Sequence, residues 1–308
     1  MKAAVLGATG FVGRALVAVL AERMEVVAVS RRGDAQERRR VRAVAADATD
    51  ESAVRRALEG VDVAYYLVHS LGSPEFAEVD RRAATEVARA AERAGVAQIV
   101  YLGGLGDHAD ELSPHLRSRA ETAATLRGGS VPVTILRAAI VIGRGSAGFE
   151  TIVSLVDRLP VMIAPRWVST PTQPIALADV VGYLADTAGN PETLGQDFDL
   201  GGPEVLTYRE MIQRIGSLRG RRPAIVEVPV LSPRLSSYWL HLVTPVRAQV
   251  ARPLVEGLRN PTVARDERIR TVLPRDLTPF DVAARQALDS SLRARLGATR
   301  GGSSGCFG

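Results

Sequence analysis

"GATGFVG", residues 7–13, places three glycines directly after the apolar run "KAAVL" and directly before "FVGRALVAVLAERM", whose Val12, Leu16, Val19 and Leu20 share one helical face. Each glycine has a job in such a strand-to-helix turn. Gly7 permits the tight turn, Gly10 lets backbone N–H groups approach a pyrophosphate, and Gly13 lets helix and strand pack closely. The helix N-terminus then favours phosphate anions. Residues Gly7, Thr9, Gly10, Phe11, Val12 and Gly13 are therefore expected to hold the pyrophosphate of a dinucleotide, against the plainer reading of a simple tight turn.

Working outward, "VVAVSR", "RAVAAD", "VDVAYYLVH", "QIVYLGG" and "VPVTILRAAIVIG" read as further strands, separated by helices at about residues 51–59, 76–94 and 114–127. Six parallel strands with covering helices make an α/β doubly wound sheet, a Rossmann fold. "FETIVSLVDRL" reads as a helix, "TQPIALADVVGYLADTAG" as an extended lead-in followed by a helix capped near Asp179, and "QDFDLGG" as another strand. The expected organisation is a dinucleotide-binding domain over residues 1–202, a smaller substrate-binding subdomain over 203–298 and a flexible tail over 299–308. The smaller unit would contain a helix in "TYREMIQRIGSL", a strand in "AIVEVPV" and apolar helices around "SSYWLHLVTPV" and "AQVARPLVEGL".

The acceptor at the end of the second strand selects the dinucleotide. An NAD site presents a carboxylate there and an NADP site presents cations. Arg31 and Arg32 of "AVSRRGD" stand at that place, and a guanidinium can grip a 2'-phosphate with two parallel hydrogen bonds. NADP(H) is the preferred expectation, with NAD(H) possible and a solvated basic loop the alternative. Asp47 in "AADATD" could reach the adenine amino group; capping the next helix is an equal assignment for Asp47 or Asp50. Leu67, Val68 and His69, after the fourth strand, are expected to line the cofactor cleft.

The composition excludes several classes. The chain has 308 residues, 46% of them hydrophobic and 24% charged, the proportions of a folded globular protein. No run approaches the roughly 18 apolar residues of a membrane span. The opening is interrupted by glycines and Arg14, so it reads as folded protein and not as a signal peptide, and a cytoplasmic address is expected. One cysteine, Cys306, in "GGSSGCFG", allows no intrachain disulfide and no CxxC site. The net charge of +5 is modest and many arginines alternate with acids, as in "ESAVRRALE", so no nucleic-acid partner is expected. The four histidines, at 69, 108, 115 and 241, show no metal-ligand spacing, and no GxSxG elbow is present. A small-molecule substrate and a monomer or homodimer are the expected associations.

These motifs, with "YLVHS", "SPHLRSRAET", "LRAAIVIGRGSAGFE" and "APRWVSTPTQPIALADVV", resemble the atypical and extended short-chain dehydrogenase/reductase superfamily, and within it a bacterial NAD(P)H-binding branch that is NmrA-like or epimerase-like. The resemblance implies a serine at the end of strand five and a YxxxK pair on the next helix. This chain departs from that pattern. Gly103 and Gly104 end the fifth strand, and the helix offers His115 and Arg119. No YxxxK can exist elsewhere, because the only lysine is Lys2.

Ser113 is a natural N-cap and Pro114 a natural first helical residue, so His115 and Arg119 lie one turn apart on one face, the spacing of YxxxK. Arg119 could supply a fixed positive charge near the ribose, and His115 a hydrogen bond from a neutral imidazole to a carbonyl oxygen. The alternative is that both are ordinary helix residues in a site that binds cofactor without turnover. Tyr65, Tyr66, Asp107 and His108 stand as reserve donors. Phe149, Trp167, Tyr238 and Trp239 are candidates for an apolar substrate pocket, and Arg137, Arg144 and Arg166 for an acidic group or for surface ion pairs.

Two functions follow as expectations. One is an NADPH-dependent oxidoreductase acting on a small apolar carbonyl, enone or quinone. The other is a non-catalytic NADP(H)-binding redox sensor of NmrA-like type; a nucleotide-sugar epimerase suffers most from the missing tyrosine.

Overall fold

A computed structural model describes residues 1–70, 75–106, 113–228 and 260–289. The chain begins β1 (Lys2–Leu6), α1 (Phe11–Arg23), β2 (Glu25–Ser30), β3 (Val41–Ala45), α2 (Glu51–Ala57), β4 (Val63–Tyr66), α3 (Phe76–Ala94) and β5 (Gln98–Gly104). It continues through α4 (Pro114–Arg127), β6 (Val133–Ala138), β7 (Val141–Ile142), α5 (Ala147–Arg158), β8 (Val161–Pro165), β9 (Pro171–Thr172), β10 (Ile175–Ala176) and α6 (Leu177–Asp186). Then come β11 (Asp197–Leu200), β12 (Leu206–Thr207), α7 (Tyr208–Leu218), β13 (Ala224–Val228) and α8 (Arg268–Val272).

Seven parallel strands form the central sheet in the order β11-β6-β5-β4-β1-β2-β3. The expected α/β doubly wound sheet is present, with "QDFDLGG" supplying the seventh strand beside β6. The strand order reverses between β1 and β4, which opens a crevice at their C-terminal ends.

Alternation along the strands explains both layers. Ala3, Val5, Val63 and Tyr65 face one side, where they pack with Leu16 and Leu20 of α1 and Tyr183 and Leu184 of α6. Ala4, Leu6, Ala64 and Tyr66 face the other, with Val54 of α2 and Ala84 and Val87 of α3. Such strands, buried on both faces, read as continuous apolar runs. A third apolar cluster joins Phe149 and Ile152 of α5, Met211 and Ile215 of α7, and Phe280 and Ala284.

Residues 260–289 are strapped to the sheet by buried carboxylates. Asp199 accepts from the backbone N–H groups of Arg265 and Asp266 at 3.0 and 3.3 Å, and Asp179 accepts from Thr278 N at 2.8 Å. Asp179 is thus not the cap of α6, as the sequence reading expected. That helix starts from Ala176 with no side-chain cap, because the carboxylate is committed to Thr278.

Candidate functional site

The turn from β1 to α1 is built by its glycines. Gly7 has φ +90°, and the N–H groups of Gly7 and Ala8 both donate to Val29 O at 3.1 Å. A Cβ on Gly7 would stand 2.9 Å from Leu67 O, and one on Gly13 would stand 2.2 Å from Gly7 O. Neither position has room for a side chain. Gly10 differs, because a Cβ there would meet only Gly7 O, at 3.1 Å, and would otherwise project outward.

Helix α1 starts from Gly10 without a side-chain cap, and α3, α6 and α8 also start without one, whereas α2, α4, α5 and α7 are capped by Asp50, Ser113, Ser146 and Thr207. The first-turn N–H groups of Phe11, Val12 and Gly13 therefore lack a side-chain acceptor, and a pyrophosphate fits that donor set. Thr9 is half-buried in the same turn. The Phe11 ring packs where Gly143 and Gly145 leave space, at 3.1 and 3.5 Å from their would-be Cβ atoms, so Phe11 offers the site its backbone.

At the end of β2, Arg31 and Arg32 are exposed. Asp34 accepts from the Ser30 hydroxyl at 2.7 Å, which holds its carboxyl below the usual range. Asp47 accepts from Thr49 N and Oγ1 at 2.9 and 2.7 Å; those bonds lower its pKa, with a smaller contribution from Arg31. Asp50 caps α2 through Ala53 N, which settles which aspartate serves as the cap.

Leu67 continues the β1–β4 pairing through Leu6 O, and Leu67 and Val68 abut the glycine turn at Gly7. His69 follows them. On α4, Ser113 caps through Leu116 N and Pro114 takes the first turn, so His115 and Arg119 are placed as the spacing requires.

The structure brings His69, His115 and Arg119 close enough to act on one another. Burial first, then the Arg119 charge and His69, hold the His115 pKa down at about 3. Burial and Arg119 hold His69 at about 4. The His69 side chain is nonetheless exposed, so solvent screens it and weakens both effects. Both imidazoles are neutral at pH 7, where the helix N-terminus also disfavours a cation at His115. Arg119 turns toward β5: Nη2 donates to Leu102 O at 3.0 Å, the guanidinium lies 5.5 Å over the Tyr101 ring, and Tyr101 Oη donates to Arg119 O at 3.1 Å.

The place of the missing serine is tightly packed by neighbouring side chains. A Cβ on Gly104 would meet Leu116 Cδ2 at 3.2 Å, and one on Gly103 would meet Tyr101 Cε1 at 3.3 Å.

Several sequence candidates fall elsewhere. Tyr65 and Tyr66 are fully buried, Tyr65 Oη donates to Leu184 O at 3.0 Å, and burial pushes both phenols far up, so neither is an available acid. Phe149 belongs to the third apolar cluster and is 1% exposed, which removes it from substrate contact. Arg137 pairs with Asp197 at 2.7 Å and Asp199 at 3.6 Å across β11. Arg144 and Arg166 are exposed, and Arg166 acts on Glu227. Asp107, His108, Tyr238, Trp239, His241 and the side chain of Trp167 lie outside the described residues.

Sequence reasoning missed Leu116 and Asp80. Asp80 sits among Phe76, Ala83, Ala84 and Val87 on the apolar stripe of α3, a detectable signal of a buried carboxyl. Among the described residues no group of His, Cys, Asp and Glu could hold a metal ion, and no helix is long and apolar enough to cross a membrane.

Residues 7–154 match a family model described as NAD(P)H-binding. A mitochondrial NADH dehydrogenase [ubiquinone] 1 alpha subcomplex subunit 9 from Arabidopsis thaliana is 24% identical over 241 residues, which are 74% of this chain and 60% of that protein. With its rat and mouse counterparts, the chain spans only 60% to 65% of those relatives' length. A (4-alkanoyl-5-oxo-2,5-dihydrofuran-3-yl)methyl phosphate reductase from Streptomyces griseus is 29% identical over 232 residues, 70% of this chain and 73% of that one. Among solved structures, the NADPH-dependent quinone oxidoreductase QOR2 of Escherichia coli, complexed with NADPH, superposes with a TM-score of 0.75 at 19% identity, covering 94% of this chain and 100% of that one. The last likeness speaks to the fold.

Proposed function

We propose, from the match of residues 7–154 to an NAD(P)H-binding family model, that the chain is an NADPH-dependent oxidoreductase acting on a small apolar enone, quinone or activated carbonyl. The observation that carries this reading is the gathering of His69, His115 and Arg119 after β4 and on α4, with Leu67 and Val68, which precede His69, against the glycine turn.

The residues divide the work. The N–H groups of Phe11, Val12 and Gly13, reached over Gly10, hold the pyrophosphate, and Thr9 flanks it. Arg31 and Arg32 take the 2'-phosphate, Asp47 faces the adenine, and Leu67, Val68 and His69 wall the nicotinamide half. A bound NADPH supplies hydride. His115, neutral, donates a hydrogen bond to the substrate oxygen as negative charge builds there, and Arg119 adds a fixed positive field.

A neutral imidazole gives up its proton reluctantly, so this site polarises more than it protonates. That favours substrates whose reduced anion is already delocalised. Enones and quinones are of that type; the printed name of the Streptomyces relative is that of an acyl dihydrofuranone carrying a methyl phosphate, an activated enone with an anionic group, and the printed name of the Escherichia structure is that of a quinone oxidoreductase. The unit from residue 203 onward is assigned to the substrate.

One observation favours the second reading, a non-catalytic NADP(H)-binding sensor: Gly103 and Gly104 end the fifth strand without the hydroxyl that would assist. Titration of purified protein with NADPH and NADH, then cofactor oxidation against quinones, enones and ketones, separates the two. Turnover that falls about 100-fold or more in His115→Ala supports the reductase. Tight binding with no turnover on any panel member supports the sensor, and failure to bind either dinucleotide refutes both.

A further inference from the structure

The loop after β2 leaves its cations uncommitted and fastens its acids. Arg31 and Arg32 are exposed, and among the described residues neither has an ion pair. The acids on either side of β3 are each held by a neutral donor. Asp34 Oδ1 accepts from the Ser30 hydroxyl at 2.7 Å, Glu37 from Ala43 N at 3.2 Å, and Asp47 from Thr49 N and Oγ1 at 2.9 and 2.7 Å. Acids engaged in this way leave the guanidinium groups open to an incoming anion.

The contact between Ser30 and Asp34 is made from both sides. Ser30 is the last residue of β2 and is 7% exposed. Its hydroxyl donates to Asp34 Oδ1 and accepts from Asp34 N at 3.2 Å, while its carbonyl accepts from Gly33 N at 3.3 Å. Gly33 closes the turn at φ +64°, where a Cβ would stand 3.1 Å from Ala45 N of β3. The loop is thereby folded back, and the Asp34 carboxyl returns to the C-terminal end of β2. An NAD site presents there the acid that takes the ribose hydroxyls. In this chain one oxygen of that acid, and with it the carboxylate's orientation, is taken by Ser30.

We propose that Ser30 is a positioning residue for cofactor choice: its buried hydroxyl fastens the Asp34 carboxylate to the strand end, so that the acid neither takes the ribose hydroxyls of NAD(H) nor repels the 2'-phosphate of NADP(H) from Arg31 and Arg32. The role rests on the assignment of those two arginines given above. The Ser30 bond is also the main influence holding the Asp34 carboxyl below its usual range, ahead of Arg32.

Two measurements test this, and neither needs turnover. In the first, NADPH and NADH affinities are measured by isothermal titration for the wild type, Ser30→Ala, Asp34→Asn and the double variant. The wild type should prefer NADPH. Ser30→Ala releases a charged carboxylate and should lower the ratio of NADPH to NADH affinity about tenfold, through repulsion of the 2'-phosphate. Asp34→Asn keeps an oxygen that accepts from Ser30 and should stay within about twofold of the wild-type ratio. The double variant has no charge to release and should recover that ratio, which a merely structural loss would not allow. Equal losses for both dinucleotides in Ser30→Ala, or a double variant that stays low, overturn the proposal. So does a loss of NADH affinity in Asp34→Asn, which would make Asp34 itself the ribose acid.

In the second, carbon NMR follows the Asp34 carboxyl through a pH titration without cofactor, with Asp34→Asn assigning the signal. Its midpoint should rise in Ser30→Ala and hold in Ser30→Thr, which keeps the hydroxyl; an unchanged midpoint in Ser30→Ala overturns the fastening itself. A wild type without preference for NADPH would refute the Arg31 and Arg32 assignment together with this role, whereas a preference that Ser30→Ala leaves intact would refute this role alone. A chain that binds NADPH but reduces nothing would refute the reductase and leave both measurements readable.

Discussion

Lowering the pH should cost this fold stability through His115 in particular, and the size of the cost can be worked out. The imidazole titrates near 6.5 when exposed and at about 3 in the folded chain. Its folded pKa is depressed, so its contribution is fully present above the unfolded pKa and is lost as pH falls toward the folded one. Between roughly pH 7 and pH 5 the unfolded chain takes up nearly one proton that the folded chain refuses, a loss of about 2 kcal/mol. That figure requires only that the folded midpoint stay below 5. Urea unfolding followed by circular dichroism at both pH values, in the wild type and in His115→Gln, isolates this one group, because every other titration is common to both proteins. The wild type should lose about 2 kcal/mol more than the variant. Parallel losses, or an imidazole proton signal for His115 that titrates near its ordinary value, would refute the burial argument and with it the neutral donor.

Gly10→Val should keep the fold, since a Cβ there meets a single oxygen, yet should weaken NADPH binding at least tenfold by filling the approach to the α1 N-terminus, as isothermal titration would show. Replacing Arg31 and Arg32 by alanine should reduce NADPH affinity by about 10-fold to 100-fold and leave NADH affinity unchanged, because charge-assisted hydrogen bonds to the 2'-phosphate are the interactions removed. Asp179→Ala strips Thr278 of two bonds and should destabilise the chain by about 1 to 3 kcal/mol, with amide-exchange protection falling first around residues 278–288.

The sheet and its helices were readable because their determinants are local. Ser113 and Pro114 mark the start of α4, and α4 runs over the predicted 114–127. Short continuous apolar runs between helical segments placed the strands of the main sheet, and the short break between Ala138 and Val141 escaped, since such a run carries no mark of where pairing passes from one strand to another. Asp179 was misread for a related reason. An acid near a helix start looks like a cap, and its true partner, Thr278, lies 99 residues away in sequence.

The site divides along the same line. The glycine turn and the His115–Arg119 spacing are properties of short stretches, and the structure places both where the pattern puts them. What the side chains do next depends on neighbours that sequence separates. Arg137 spends its charge on Asp197 and Asp199, and Leu116 packs tightly beside Gly104. Charges on helix faces are ordinarily solvated, and that rule concealed Asp80, the acid of α3 that points inward. The departure from YxxxK is therefore wider than two substitutions. Where the resembled pattern has a tyrosine acid beside a titratable lysine, this chain has a neutral imidazole beside a guanidinium that never titrates.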